Sequence, residues 1–278
     1  MRFVLTRDAE DFAARTERLL SERIECNVLA TVLMRVLDGG HSDQAPFFAY
    51  GLASGGEVTF AALRTPPWPL LTSPLPDGAN EFVEQWMRDD PGISRVSGVP
   101  DTVRAIGAAW SRLTGGSTRT TMHEAMHVLD EVRDPPRPAP GTLRVAEPDD
   151  RDLLVGWTEE FVHETGLIGA AQAGPMVDGS LRRRGLLVWE DGRPVSMLGV
   201  NPAVAGVARI GPVYTPPEYR RRGYAGSAVA AASRRALATV ARRCMLYTDL
   251  ANPTSNKIYA EVGYRRTGDW EEITLDPA

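Results

Sequence analysis

The chain has 278 residues, 43% of them hydrophobic and 24% charged, which supplies apolar side chains for two ordinary soluble domains. Its net charge is -5 and it holds no block of basic residues, so composition gives no footprint for nucleic acid and is compatible with a cationic substrate. Cys26 and Cys244 stand alone, which excludes a disulfide framework and cysteine metal-ligand spacing and fits a reducing cytoplasm.

Met1–Arg7 reads as a short strand, with neither a leader nor a membrane-spanning run. Ala9–Arg23 has helical apolar spacing at Phe12, Leu19 and Leu20, and Ile24–Leu37 continues as a second helix after a break. Phe47–Gly51 and Val58–Leu63 pair as strands around Gly55-Gly56. Asn80–Met87 and Asp101–Leu113 read as helices. Thr120–Val132 contains His123-Glu124-Ala125-Met126-His127, the H-E-x-x-H template of helical zinc sites. The β-branched residues Thr120, Thr121, Val128 and Val132 favour a strand instead, the last of an N-terminal domain, and a zinc hydrolase is the remotest reading.

Asp134–Gly141, with four prolines, reads as a linker between a domain at 1–133 and another at 142–278. After it come a strand at Leu143–Ala146, a helix from Pro148 to about Glu164, and a helix at Pro175–Arg183. Strands at Leu186–Trp189 and Pro194–Asn201 flank Asp191-Gly192, and a third strand covers Val207–Thr215. Helix Ala225–Val240, strand Cys244–Asp249, helix Pro253–Val262 and strand Tyr264–Leu275 complete the order β, α, α, three β, α, β, α, β.

Two blocks carry chemistry. In Val213–Ser227 a strand ends at Thr215, a Pro-Pro turn follows, and Gly223 introduces a helix with Ala225, Gly226 and Ser227 in its first turn. A helix start with free amides, small side chains and Arg220, Arg221 and Arg222 beside it suits a pyrophosphate. Pro212, upstream in the strand, implies a bulge or edge. In Asp249–Tyr264, Asn252 is an N-cap, Pro253 suits the first helical position and Gly263 the stop. At about 100° per residue, Asn252, Asn256 and Tyr259 share one face and Ile258 and Val262 another.

Arg220, Gly223 and Ala225 fill a pattern that resembles the Gln/Arg-x-x-Gly-x-Gly/Ala loop of the GNAT N-acetyltransferase superfamily. Asn252, Ser255, Tyr259, Gly263 and Tyr264 fill a second pattern of that superfamily. The likeness covers about residues 142–275. It implies an α/β (α+β) fold with a central mixed, splayed sheet flanked by helices. It implies acetyl-CoA bound by the main chain of Val213, Tyr214 and Thr215, by residues 220–227 including Tyr224, and by Asn252 and Asn256. Tyr259 would protonate the leaving thiolate, a backbone N–H near Val213 would polarise the thioester carbonyl, and no metal would be needed. The helix after Asp149 would form one wall of an amine site, with Trp157, Glu160 and Glu164 as candidates. The first half reads as a further α/β domain; a degenerate domain of the same fold that shapes the acceptor cleft or forms a homodimer is one reading. A non-catalytic acyl-CoA-binding module is the alternative to catalysis.

Overall fold

The structure, a computed structural model, describes residues 1–39, 44–166 and 172–278. Asp8 closes the first strand, β1 (Arg2–Thr6), and opens the first helix, α1 (Ala9–Glu22). Its carboxylate accepts from the amides of Glu10 and Asp11 at 2.9 and 3.0 Å, satisfying donors with no helical partner. A 3-10 turn at Ile24–Cys26 makes the expected break before α2 (Asn27–Leu37). There follow β2 (Phe47–Leu52), β3 (Val58–Arg64), β4 (Leu70–Thr72), α3 (Ala79–Asp89), β5 (Arg95–Gly98), α4 (Pro100–Thr114) and β6 (Ser117–Leu129).

The later elements are β7 (Thr142–Val145), α5 (Arg151–Thr165), α6 (Ala173–Arg182), β8 (Leu186–Glu190), β9 (Pro194–Val200), β10 (Val207–Tyr214), α7 (Tyr224–Thr239), β11 (Arg243–Asp249), α8 (Pro253–Val262) and β12 (Arg265–Asp276). Their order is the expected one, and β1 to β6 follow the same order of strands and helices. Spacing in the sequence signals neither β4 nor β5, so it conceals this repetition.

Two compact units result: Met1–Ala125 with Gly268–Ala278, and Met126–Thr267. In the first, β1 to β4 form an antiparallel meander, β4 runs parallel to β5, and Glu271–Thr274 of β12 pairs antiparallel with β5. Phe60, Phe82, Trp86, Ile106 and Ile273 belong to its core. In the second unit β7, β8, β9 and β10 are successive antiparallel neighbours, and β10 begins parallel to β11. One face of this sheet packs under α7 and α8 with Leu198, Ile210, Ala228 and Leu246; the other packs under α5 and α6 with Leu154, Trp157, Val177 and Met197. Asp134–Gly141, expected as a linker, has no regular secondary structure and falls within this second unit.

Candidate functional site

The site is built around a break in β10. Its register against β9 shifts between Ile210 and Val213, at Gly211 and Pro212, as the proline implies. Gly199 on β9 lets the strands approach there, since a Cβ would lie 2.7 Å from the Gly211 carbonyl oxygen. A residue inserted into a strand turns each later side chain to the opposite face. Ala208 and Ile210 accordingly belong to the cluster under α7, Val213 packs against that same cluster, and Tyr214 belongs to the cluster under α5. On its other side β10 is in register with β11 only from Val207 to Arg209, opposite Arg243 to Met245. Beyond that point Ile210–Tyr214 leaves β11, and the sheet opens.

Tyr214 has more than a main-chain part. Its hydroxyl donates to Glu160 Oε2 at 2.7 Å and lies 3.4 Å from Glu164 Oε1. Burial first, and then the bond to Glu160, push the phenol well above its ordinary pKa, so it stays a donor. Its carbonyl is occupied, accepting from Ser196 Oγ at 2.9 Å. Arg220 binds the Thr215 carbonyl through Nε at 2.8 Å and both oxygens of Glu164 through Nη2 at 2.7 Å. The first arginine of the loop therefore ties it to α5 instead of reaching over the helix start. Arg222 lies over the Tyr219 ring, its Cζ 6.0 Å from the centroid, and Arg221 is exposed.

Gly223 caps α7 with a φ of 84°, a left-handed conformation that favours glycine. The first helical bond in this turn is from Ser227 N to Gly223 O, 3.0 Å, so the amides of Tyr224, Ala225 and Gly226 precede any helical acceptor. No acidic residue stands in that first turn. A Cβ on Gly223 would lie 2.8 Å from the carbonyl oxygen of Arg137. The glycine thus makes room for the chain's own proline-rich segment. Tyr224 is buried and donates to Asp191 at 2.6 Å, and Ser227 Oγ accepts from Ala139 N at 2.8 Å.

Across the opening, Asn252 caps α8 as expected, its Oδ1 accepting from Ser255 N at 3.0 Å. Asn256 Nδ2 donates to the carbonyls of Asp249 and Asn252 at 3.0 and 2.8 Å. That amide shapes the helix start and leaves Oδ1 as its remaining acceptor. Tyr259 is 9% exposed and shares a cluster with Val262 and Tyr264, and Ile258 packs against the same cluster. The two helix faces expected from spacing are therefore not separate, because α8 packs on both α7 and β11.

Trp157 is buried in the core under α5, away from the solvent-facing carboxylates, so of the three acceptor candidates Glu160 and Glu164 come together and Trp157 does not join them. His123 and His127 lie on the strand β6, where the helical geometry of a zinc template is lost. Burial pushes the Cys26 and Cys244 thiols up to about 12 and about 11. Among the described residues no helix is long and apolar enough to cross a membrane.

The equivalent place in the first unit is built differently. The β3–β4 pairing carries no register shift, and Leu75 N donates to Thr102 Oγ1 at 2.8 Å, tying the loop to α4. Gly78 caps α3 with a φ of 86°, close to that of Gly223, but the Phe3 ring comes within 3.2 Å of its Cβ position. Glu81 adds negative charge to the first turn of α3. Phe3 thus packs against the cap of α3, and the charge of Glu81 offsets the positive end of that helix.

An open mixed sheet that parts along a bulged strand, with a glycine-capped helix beside the parting, is the splayed architecture expected from the sequence. Residues 145–264 match the model described as Acetyltransferase (GNAT) family, and this half of the chain carries a domain of that family. Among solved structures, the chain is similar to an acetyltransferase from the GNAT family from Colwellia psychrerythraea, at 8% identity and a TM-score of 0.61 over 100% of both chains. It is similar to a GCN5-related N-acetyltransferase from Sphaerobacter thermophilus, at 18% identity and a TM-score of 0.60 over 99% of this chain and 96% of that one. A tandem GNAT protein from the clavulanic acid biosynthesis pathway matches 99% of this chain with 98% of its own, at 13% identity and a TM-score of 0.56. At these identities the likeness is one of fold, and it extends to the first unit as a second GNAT-like domain. No curated protein sequence matches the chain.

Proposed function

We propose that the second unit transfers an acetyl group from acetyl-CoA directly to a primary amine of a small molecule or peptide. The observation that carries this reading is the departure of β10 from β11 after Arg209, beside the amides that open α7 ahead of any helical acceptor. The opening suits the pantetheine arm, with the Val213 backbone along it. The amides of Tyr224, Ala225 and Gly226 suit the diphosphate, where the dipole of α7 is positive.

In the proposed step the neutral amine nitrogen attacks the thioester carbonyl, forming the C–N bond while the C–S bond breaks. The backbone N–H near Val213 polarises that carbonyl. Glu160, exposed and held by Tyr214, receives the proton lost by the amine, directly or through water. Tyr259 supplies the proton taken up by the thiolate. Two buried, neutral thiols leave no cysteine poised to carry the acetyl group, which supports direct transfer.

The test is a panel of primary amines with acetyl-CoA, read by thiol release and by the mass of the acetylated product. Tyr259→Phe keeps the ring that packs on Tyr264, so affinity for acetyl-CoA and stability should hold. Its turnover should fall by about 10²–10⁴-fold, the usual worth of general acid catalysis. Equal turnover in the two proteins would remove Tyr259 from the reaction. Acetyl-CoA binding with no acetylated product across the panel would favour a non-catalytic acyl-CoA module.

A further inference from the structure

The two carboxylates that α5 brings to Tyr214 are not equivalent. Tyr214 is 4% exposed, and its ring is packed in the core under α5 with Phe161 against it. Its hydroxyl therefore holds a set place, where Glu160 Oε2 stands at 2.7 Å and Glu164 Oε1 at 3.4 Å. Two like charges gathered at one hydroxyl repel each other unless a cation offsets them. Arg220 is that cation, and it serves one of the two. Its Nη2 meets both oxygens of Glu164 at 2.7 Å, and its Cζ lies 5.6 Å from the centroid of the Tyr214 ring. Its Nε donates to the Thr215 carbonyl at 2.8 Å, so the guanidinium is also anchored just past the end of β10.

Among the described residues no cation pairs with Glu160, which is exposed and takes its hydrogen bond from the neutral phenol. The charges gathered at Tyr214 thus leave one negative charge in excess, and it resides on Glu160. An ammonium group supplies the missing cation. A second ammonium beside the first would find Glu164 already neutralised and would meet the guanidinium, a like charge. Glu164 in turn is occupied on both oxygens, so it holds Arg220 and the hydroxyl in place and has no free face for an acceptor.

We propose that Glu164 and Arg220 are a positioning pair that sets acceptor specificity: neither binds the amine, and together they leave Glu160 as the one uncompensated carboxylate, which selects an acceptor with a single ammonium. The assignment rests on the amine reading of the second unit. The full chain is assayed by thiol release at saturating acetyl-CoA, each monoamine beside the diamine of equal length, butylamine beside putrescine and pentylamine beside cadaverine. Wild type should favour the monoamines. Glu164→Gln frees the guanidinium to pair with Glu160, so KM for the best monoamine should rise about tenfold, the scale of one charge-assisted hydrogen bond. Adding Arg220→Gln to that variant should recover most of the loss, because the site again holds one negative charge. Arg220→Gln alone leaves two uncompensated carboxylates and should move the preference toward the diamines. A double variant no better than Glu164→Gln would make the pair structural only and overturn the proposal, as would a wild type that favours the diamines. A wild type that binds acetyl-CoA and acetylates no amine would instead overturn the amine reading itself.

Discussion

Pro212 and its glycine neighbour decide which residues face which side of the second unit's sheet. A proline inside a strand-like run is legible in sequence as a bulge, and the register shift lies at that proline. Its consequence is not legible, because the number of residues inserted sets the parity of everything after it. Sequence therefore assigns Tyr214 a main-chain part alone, although its hydroxyl joins Glu160 on α5. The cysteines allow a test at this scale. Both thiols are buried and pushed up to about 12 and about 11, so at pH 7 each is neutral. A thiol reagent should leave the native protein almost untouched and find two thiols per chain after denaturation. A fast-reacting thiol in the native protein would revive a cysteine-borne intermediate.

Elements with strong caps are legible in the sequence, and short strands among prolines are not. Asn252, Pro253 and Gly263 mark both ends of α8, and all three hold those places. By contrast β4 has three residues between Pro69 and Pro74 and β5 has four between Pro91 and Pro100, too few for any alternation to show. The start of α5, which carries Glu160 and Glu164, depends on a capping box. Glu147 N donates to Asp150 Oδ2 at 2.8 Å, and the same carboxylate takes a bidentate Arg144 at 2.6 and 2.9 Å. Hydrogen bonding to Arg144 is the first cause holding the Asp150 pKa below its ordinary value. A depressed carboxylate pKa adds stability that is full above about pH 4, the unfolded value, and is lost as pH falls through the folded one. Asparagine keeps an oxygen for the cap, so Asp150→Asn should cost about 1.5–3 kcal/mol in urea unfolding at pH 7 through the lost charge-assisted bonds to Arg144. That cost should shrink as both proteins are taken below pH 4. A cost independent of pH would show that the charge of Asp150 adds nothing.

On the scale of the molecule, one order of strands and helices occurs twice while the cleft occurs once. The second unit has the bulge, the parted strands and an acid-free helix start; the first has a regular β4, a loop tied to α4 and Glu81 at the start of α3. The motifs in Val213–Ser227 and Asp249–Tyr264 have no counterpart in the first half, which is why sequence locates the site and leaves the first domain unassigned. The most direct measurement is calorimetric titration of the full chain with acetyl-CoA, beside the variant Ala225→Glu, which sets a carboxylate among the amides that open α7. The expected result is one acetyl-CoA per chain, with binding lost in the variant and Tm retained. Two bound per chain, none in the wild type, or undiminished binding by Ala225→Glu would contradict a single cofactor site at α7.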